Sequence, residues 1–261
     1  MYEIESRLAA SPLAAHAASL LRFARPAIEL RPTIPVTRRA PGGTRFGGLP
    51  DVGPGFRWPR DGGAPLSLLL QLDLAELAPC PAATVLPPSG LLSFFYDMVN
   101  QPWGHRPSER RRWRVLHTPG DVSLRRVERP PSGLTEAAQL GPVTLAALPT
   151  LTLPDHLPVD GAELADLVDA GLDPVHVYED HIVLPDAFPT HQVLGHPRLI
   201  QDDPYGVACA CVSPWVSLLQ LDSDVALGTM FGDVGKLHWF VRLEDLLTRR
   251  FDRVALELQC C

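Results

Sequence analysis

The feature that most constrains the fold is a strongly apolar heptapeptide that occurs twice. Residues 67–73 read SLLLQLD, and residues 216–222 read VSLLQLD. Such short leucine-rich runs, bounded by turn residues, are typical of strands with at least one buried face. Alternation along the first copy predicts one wholly apolar face, formed by Leu66, Leu68, Leu70 and Leu72. The chain must therefore bury two leucine-faced strands in a core.

Further matches between the two halves follow in the same order. They pair GLP at 48–50 with GHP at 195–197, SGLLSFFYD at 89–97 with VGKLHWFVR at 234–242, and RWRVLHT at 112–118 with DRVALEL at 252–258. A nearly constant spacing over ordered matches indicates an ancient duplication. Because only two copies exist, a solenoid is excluded.

The pattern predicts an α+β, β-rich fold, made of an internally duplicated pair of half-repeats with an N-terminal helix. We expect residues 1–261 to form a single compact domain. Its parts are an N-terminal helical segment at 1–30, half-repeats at about 40–130 and 185–261, and a proline-rich linker with a helix and a strand at 131–184. The 28 prolines predict short elements and stiff loops, because proline is poorly tolerated inside helices and central strands.

Helical and strand signals outside the repeats are few. Apolar periodicity predicts helices at about 5–24, 161–170 and 243–250, and VHVYEDHIVL at 175–184 is expected to form a strand. Between Gly47 and the first leucine strand, closely spaced glycines and prolines predict a stiff entry path into the core.

Composition indicates a globular cytoplasmic protein. Hydrophobic residues make up 46% of the chain and charged residues 20%, and no apolar run is long enough for a membrane span. Glu3 and Glu5 stand where a signal peptide would carry positive charge. Five cysteines, an odd number, do not suggest a disulfide framework.

Charge is unevenly distributed. The net charge is −7, with an excess of basic residues in 1–130 and of acidic residues in 131–261. Arginines around Trp113 suggest nucleic acid as one partner, but the acidic half would repel phosphates. We therefore expect no nucleic-acid partner.

The repeated Gln-x-Asp motif is the most specific polar feature of the sequence. Gln71 and Asp73 share one strand face, as do Gln220 and Asp222. If the half-repeats bring them together in a cleft, two close carboxylates can share a proton and perform acid–base chemistry. The structural alternative is that Asp73 caps a helix, with Glu76 completing a capping box, while Gln71 satisfies backbone groups of the glycine-proline turn.

Two weaker patterns concern metals. Asp222, Asp224 and Asp233 lie near two glycines, but their spacing does not match an EF-hand loop and fits turn-forming aspartates. Cys209 and Cys211, with His196 or His238, have a spacing uncommon among zinc sites. We expect no bound metal and no cofactor, although a small ligand or divalent ion in the cleft between the half-repeats stays an alternative.

No common catalytic motif or phosphate-binding loop is present, which favours a binding protein over an enzyme. Tryptophans beside arginines are typical of contact surfaces, so we expect an exposed loop at residues 106–114 to bind a partner. The candidate binding residues are Gln71, Asp73, Gln220, Asp222, Trp103, Arg110, Arg111, Arg112 and Trp113.

The stretches GGLPDVGPGFRWP, SGLLSFFYD and MFGDVGKLHWFVRLEDL resemble the YwqG-like family, a bacterial family of unassigned function. The resemblance covers about residues 40–261 and implies a compact, duplicated α+β fold. It supplies no catalytic residues. Location of some members near toxin or secretion genes implies an immunity-like role. Phe231 stands before Gly232-Asp233 where such proteins often have tryptophan.

The sequence therefore predicts a non-enzymatic cytoplasmic protein-binding module, with no membrane association. The alternative is a hydrolase that uses the paired Gln-x-Asp carboxylates in the cleft between the half-repeats.

Overall fold

A ten-stranded antiparallel sheet forms the framework of the protein. The computed structural model describes residues 2–33, 40–183, 189–207 and 214–260. Within these ranges the sheet has the order β14-β13-β12-β11-β1-β10-β2-β6-β7-β8. Its strands are β1 (Arg25–Pro32), β2 (Arg45–Phe46), β6 (Ser67–Asp73), β7 (Gly90–Tyr96), β8 (Trp113–Pro119), β10 (Val143–Thr152), β11 (Gln192–Leu194), β12 (Trp215–Asp222), β13 (Lys236–Arg242) and β14 (Ala255–Gln259).

The remaining elements are short. Two small ribbons pair β3 (Asp51–Val52) with β9 (Arg125–Arg126), and β4 (Arg60–Asp61) with β5 (Ala64–Pro65). The α-helices are α1 (Glu3–Ala9), α2 (Ala17–Leu21), α3 (Leu74–Leu77), α4 (Ala165–Asp169), α5 (Pro174–Tyr178) and α6 (Leu243–Leu247). Single 3₁₀ turns occupy Ala14–His16, Pro81–Val85, Pro107–Arg111, Glu136–Ala138, Gly161–Leu164, Val225–Leu227 and Phe251–Arg253, and a π-helical turn occupies Glu179–Val183. The protein is thus β-rich with few helices, as the sequence predicts.

The two sides of the sheet have matching strand orders. Outward from the central β1–β10 pair, one side runs β11, β12, β13 and β14, and the other runs β2, β6, β7 and β8. Pairing agrees in detail, since Phe46 lies opposite Leu70 as Val193 lies opposite Leu219. Each heptapeptide identified in the sequence occupies the same place on its side.

Both leucine strands contain an irregularity in pairing at the same place. The register shifts between Leu68 and Leu70 on β6, and between Ser217 and Leu219 on β12. An extra residue at a bulge reverses which face the following side chains occupy. Leu68 therefore packs with Phe95 in a small outer cluster, whereas Leu70 lies in the main core. The prediction that Leu66, Leu68, Leu70 and Leu72 share one face is wrong for this reason.

The main core lies between the two sides of the curled sheet. It takes buried residues from β6 and β7 as well as from β12, β13 and β14. The ring centroids of Phe94 on β7 and Trp239 on β13 are 5.6 Å apart, with planes inclined by 77°. Since β7 and β13 are near opposite ends of the strand order, this contact requires the sheet to curl around the core.

Curling also brings the two edge strands near each other. Trp113 at the start of β8 donates its indole N–H to the carbonyl of Val254, 3.0 Å away, just before β14. The N–H of Leu258 on β14 donates to the carbonyl of Trp103. Side chains and loops thus cover backbone groups that an open sheet edge would expose.

The segment between the half-repeats is more than a linker. It contains β10, which pairs with β1 over eight residues from Arg25↔Thr152 to Pro32↔Leu145. β1 itself starts within the predicted N-terminal helical segment 1–30. These two strands connect the two sides of the sheet, so the chain outside the matching segments supplies its centre.

A helical layer forms a second apolar cluster beside this central pair. Its buried residues come from the N-terminus, including Leu8 and Leu20, and from the segment containing Tyr178 and Ile182. The predicted helix at 5–24 is interrupted: α1 ends at Ala9, and α2 begins only at Ala17, beyond Pro12.

Residues 175–184 do not form the predicted strand. They form α5 and the π-helical turn up to Val183, and residue 184 lies outside the described residues. The Asp173 carboxylate accepts a hydrogen bond from the Val175 N–H at 2.9 Å, and Pro174 occupies the first helical position. This cap and proline start a helix, and packing in the helical layer maintains it.

No helix in the described ranges has the length and hydropathy that crossing a bilayer requires.

Truncation of the aromatic pair between the two sides should destabilise the protein strongly. We expect Phe94→Ala and Trp239→Ala each to lower the free energy of unfolding by about 3–5 kcal/mol, because each leaves a large cavity. The double variant should lose less than the sum, since the partners are in contact. Urea denaturation measures all three.

The matched control is Val225→Ala, because Val225 is 91% exposed. Its free energy of unfolding should change by less than about 0.5 kcal/mol. Strictly additive effects of Phe94→Ala and Trp239→Ala would contradict the contact between the two sides.

Candidate binding site

A large cleft in the described structure lies on the outside of the sheet, beside β2. It has a volume of about 990 Å³ and is lined by residues within 41–49, 124–128 and 142–144. The first segment contains β2, the second contains β9, and the third leads into β10. We call it the arginine cleft, because Arg45, Arg125 and Arg126 line it.

A buried carboxylate organises the floor of the arginine cleft. Asp51 accepts hydrogen bonds from Nη1 of Arg45 at 2.8 Å and from Nε and Nη2 of Arg126 at 2.8 and 3.0 Å. The N–H of Gly42 donates to it at 2.8 Å, and the side-chain amide of Gln71 donates at 3.3 Å. Both arginines are therefore fixed by one carboxylate that has no exposed surface.

These contacts decide the charge of Asp51. Burial alone would raise the pKa of this carboxyl group, but hydrogen bonds from Arg126 and Gly42, together with the charge of Arg45, outweigh burial and lower the pKa. Burial lowers the pKa of Arg45, while the attraction of Asp51 opposes that shift. Asp51 is an anion held by two cations, and it is already saturated with donors.

Gln71 holds the turn that precedes this floor. Its carbonyl oxygen accepts hydrogen bonds from the backbone N–H of Asp51 at 2.9 Å and from Arg45 at 3.2 Å. Its amide nitrogen donates to the carbonyl of Gly43 at 3.1 Å. The prediction that Gln71 satisfies backbone groups of the glycine-proline turn is confirmed.

Asp73 has a structural contact at each oxygen. One oxygen accepts from the N–H of Ala75 at 3.1 Å, which makes Asp73 the N-cap of α3. The other accepts from the N–H of Gly43 at 3.0 Å. Glu76 does not complete the capping box in this arrangement, because its carboxylate accepts from the N–H of Thr44.

Gln220 and Asp222 make corresponding contacts on the other side of the sheet. Gln220 accepts from the N–H of Arg198 at 2.8 Å and donates to the carbonyl of Thr190 at 3.0 Å. Asp222 accepts from the N–H of Thr190 at 2.9 Å and lies 3.2 Å from the ammonium group of Lys236. This Gln-x-Asp pair also fixes its own turn.

The structure does not bring the two Gln-x-Asp pairs into one cleft. Along the sheet, β2, β10, β1 and β11 lie between β6 and β12. The space between the two sides is occupied by the apolar core instead. The expected cleft between the half-repeats, with Asp73 and Asp222 facing each other, is therefore not found among the described residues.

A second, smaller cleft of about 420 Å³ lies near Gln192 and Arg198. Its charges are paired with one another: Arg31 contacts Glu29 and Glu3, and Glu3 also pairs with Arg7. This cleft consequently offers less unpaired charge to a ligand than the arginine cleft does.

The arginine-rich loop is only partly exposed. Trp113 is 2% exposed and belongs to the core, so the prediction that it is a surface residue is wrong. Arg110 donates to the carbonyl of Asp252 and lies over the Trp113 ring. Arg112 lies 3.4 Å from Asp61. These side chains attach the loop to the fold, because the curled sheet brings residue 252 close to them.

Two of the predicted loop residues do face solvent. Trp103 is 40% exposed, and its ring stacks on His105 at 6.3 Å. Arg111 is exposed and, within the described part of the chain, has no hydrogen bond or ion pair. The loop therefore retains Trp103 and Arg111 as candidate contact residues.

Two of the three aspartates considered for metal binding, Asp222 and Asp224, have other partners. Asp224 caps the 3₁₀ turn through the N–H of Ala226 at 2.7 Å, and its other oxygen lies 3.1 Å from Nε2 of His191. Among the described residues, no group of three or more histidine, cysteine or acidic side chains is placed to hold a metal ion. Cys209 and Cys211 lie outside the described residues.

The two histidines considered with those cysteines are buried. Nε2 of His196 lies 2.9 Å from the carbonyl of Phe23. His238 lies on β13 between Gln220 and Glu257 of the neighbouring strands, and neither ring nitrogen has a partner among the described residues. Burial lowers the pKa of His196 to about 4 and that of His238 to about 3, with smaller effects from nearby cations. Both rings are therefore neutral at pH 7.

Four residues of this cleft were not predicted from the sequence: Arg45, Asp51, Arg125 and Arg126. Arg45 and Asp51 flank the GGLP turn, but Arg126 is 75 positions further along the chain. The pairing of β3 with β9 brings it to Asp51. The basic excess of residues 1–130 was the available signal, and it did not indicate which arginines cluster.

Loss of the Asp51 charge should destabilise the cleft floor. We expect Asp51→Asn to lower the free energy of unfolding by about 3–5 kcal/mol, because it leaves Arg45 buried without its anion. Chemical denaturation measures the change. Asp121→Asn, at an exposed position, is the control. Equal effects of the two substitutions would contradict the role of Asp51.

The buried His238 should make stability depend on pH. Its folded-state pKa lies below the unfolded value, so the unfolded chain takes up a proton that the folded chain does not. This contribution is absent above about pH 6.5 and lowers stability by about 1.4 kcal/mol per pH unit on acidification towards pH 3. His238→Phe should reduce the slope of the free energy of unfolding against pH by about 1.4 kcal/mol per pH unit, which corresponds to one proton. Urea denaturation at several pH values between 5 and 6 measures this slope. An unchanged slope would show that His238 is not buried as described.

Comparison with known proteins places the chain in a family. Among curated proteins, none matches it in sequence. A family model described as a domain of unknown function, DUF1963, matches residues 44–260, from the residue before β2 to the residue after β14. The expectation of a family without an assigned function is confirmed at this level. The chain belongs to DUF1963, a domain family of unknown function.

Proposed function

We propose that this chain is a non-enzymatic protein-binding module that holds another protein at the arginine cleft. The observation that carries the proposal is the state of Arg125. This residue is exposed, lines a cleft of about 990 Å³, and its guanidinium group forms no hydrogen bond or ion pair within the described ranges. An arginine with an uncommitted guanidinium group beside apolar surface is typical of protein contact sites.

The side chains of the cleft favour binding over catalysis. Its titratable lining residues are Arg45, Arg125, Arg126 and Glu128. General acid–base and nucleophilic catalysis usually require a histidine, a cysteine or a base poised near neutral pH, and this lining provides none. The residues with acid–base potential, Asp73 and Asp222, are engaged in separate turns. The hydrolase alternative, which requires both carboxylates in one cleft, therefore loses its basis.

The class of partner follows from charge. The net charge of −7 disfavours nucleic acid, because phosphates would be repelled by the acidic half of the chain. The proposal places the protein in the cytoplasm, with no membrane association and no cofactor. A YwqG-like, bacterial identity and an immunity-like role, in which the chain holds a partner protein inactive, fit this form of binding.

We also infer that the two sides of the sheet descend from one duplicated unit. Their turns match even in backbone conformation: φ is 61° at Gly47 and 62° at Leu194, then 73° at Gly48 and 77° at Gly195. A leucine seldom adopts such a positive φ, which is common for glycine. Retention of this conformation in both turns supports common descent, with binding specialised on the side that carries Arg125.

The binding site can be tested by cross-linking. Replacement of Arg125 by the photo-reactive residue p-benzoylphenylalanine in the full chain should give a discrete protein adduct in its own host cells. Mass spectrometry of the adduct identifies the partner. Binding of the purified partner should then weaken at least tenfold in Arg125→Glu, because a desolvated contact charge is reversed.

Arg111→Glu is the matched control, since Arg111 is also an exposed arginine without a partner in the described structure. It should change the affinity for the identified partner less than twofold. If Arg111→Glu abolishes binding and Arg125→Glu does not, the partner binds the arginine-rich loop and the proposed site is wrong. Circular dichroism of both variants checks that the fold is retained.

A further inference from the structure

We propose that the arginine cleft recognises an acidic, leucine-bearing peptide segment of the partner, whose carboxylates contact Arg125 and Arg126. This inference rests on the proposed function and specifies the chemistry of its ligand. It follows from the charges that face the cleft, from the apolar surface beside them and from the size of the cleft.

The lining of the cleft has an excess of positive charge. Arg45, Arg125 and Arg126 line it, against the single carboxylate of Glu128. Asp51, buried beneath the lining, offsets part of this excess through its ion pairs with Arg45 and Arg126, so three arginines face two carboxylates and one positive charge is left over. An incoming carboxylate therefore meets guanidinium groups that Asp51 holds in position and whose total charge remains positive.

The two outer arginines have different roles in this arrangement. Arg126 is fixed by two hydrogen bonds to Asp51, although its side chain remains 39% exposed. Arg125, adjacent to it on β9, has no such contact in the described structure. Guanidinium groups form paired hydrogen bonds with carboxylates, so a fixed cation beside an adaptable one suits an acidic side chain.

Apolar side chains surround these cations. Leu49, Leu124, Val127 and Pro142 contribute to the same lining. A free inorganic anion would leave this surface in contact with water, whereas a peptide with alternating leucine and acidic side chains would cover it. The apolar surface therefore favours a peptide over a lone anion.

The volume of the cleft also favours a peptide as the ligand. A volume of about 990 Å³ is at the upper end of the range for compact ligand sites. It exceeds the volume of a single carboxylate group many times. Several residues of an extended segment fit such a space, and they would place two or more carboxylates near β9.

The backbone of the cleft floor is held in a defined conformation. Gly42 and Gly43 have φ values of 117° and 82°, a region that other residues seldom adopt. A Cβ atom at Gly42 would lie 3.2 Å from a carboxylate oxygen of Asp73. Glycine at this position therefore lets the loop lie close against Asp73, and the hydrogen bonds of Asp51 and Asp73 keep the loop in place.

Fluorescence anisotropy of the full chain tests the inference. The probe is a fluorescein-labelled decapeptide of alternating glutamate and leucine, and the control is the same peptide with glutamine in place of glutamate. We expect the acidic peptide to bind at least tenfold more tightly than the amide peptide. Its affinity should fall as the salt concentration rises from 50 to 300 mM, because the contact is electrostatic.

Three variants locate the contact. Arg125→Glu should weaken binding of the acidic peptide at least tenfold, and Arg57→Glu, at an exposed arginine outside the cleft lining, should leave the affinity within about twofold of the parent chain. Glu128→Gln should strengthen binding about two- to fivefold, because it removes the one lining carboxylate. An increase in affinity is a readout that partial unfolding would not produce.

Several outcomes would overturn the inference. One is equal binding of the acidic and amide peptides, and another is no binding of either. A third is tighter binding of single-stranded DNA of the same length, which would identify a phosphate site. If the acidic peptide fails while Arg125→Glu still disrupts the cross-linked partner complex, the proposed function stands and only the acidic ligand is wrong.

Discussion

The burial of the two inner sheet faces against each other is the contact on which the structure depends. Both sides direct apolar side chains into one core, together with residues of α3 and α6, and Phe94 and Trp239 meet across its interior. That contact curls the ten-stranded sheet until β8 and β14 come close together. The curled sheet then draws Trp113 into the core and leaves the outer face to support the clefts.

Gln71 and Gln220 each satisfy backbone groups of a sharp turn, one on each side of the sheet. A sharp turn leaves backbone donors and acceptors pointing in different directions, and a primary amide can satisfy one of each. Gln71 does so for Asp51 and Gly43, and Gln220 does so for Arg198 and Thr190. The Gln-x-Asp repeat is therefore explained by turn structure, and it needs no catalytic role to account for its presence.

The two sides differ in the charged residue that their turns carry. At corresponding positions one turn carries Asp51 and the other carries Arg198. Asp51 collects two arginines from different segments, while Arg198 pairs with Asp155. The two turns thus carry charges of opposite sign. One cleft contains an arginine side chain without a partner in the described structure, whereas the charges of the other cleft are paired with one another.

The sequence by itself determined the features that depend on neighbouring residues. SLLLQLD predicted β6 at its observed bounds, Asp73 was recognised as a cap, and Gln71 as a partner of its turn. Only the tertiary structure decided features that depend on distant segments: the change of face at the β6 bulge, the position of β10 at the sheet centre, and the meeting of Asp51 with Arg126. The physical reason is that local periodicity and capping act over a few residues, whereas strand pairing and ion pairing depend on which remote segment becomes a neighbour.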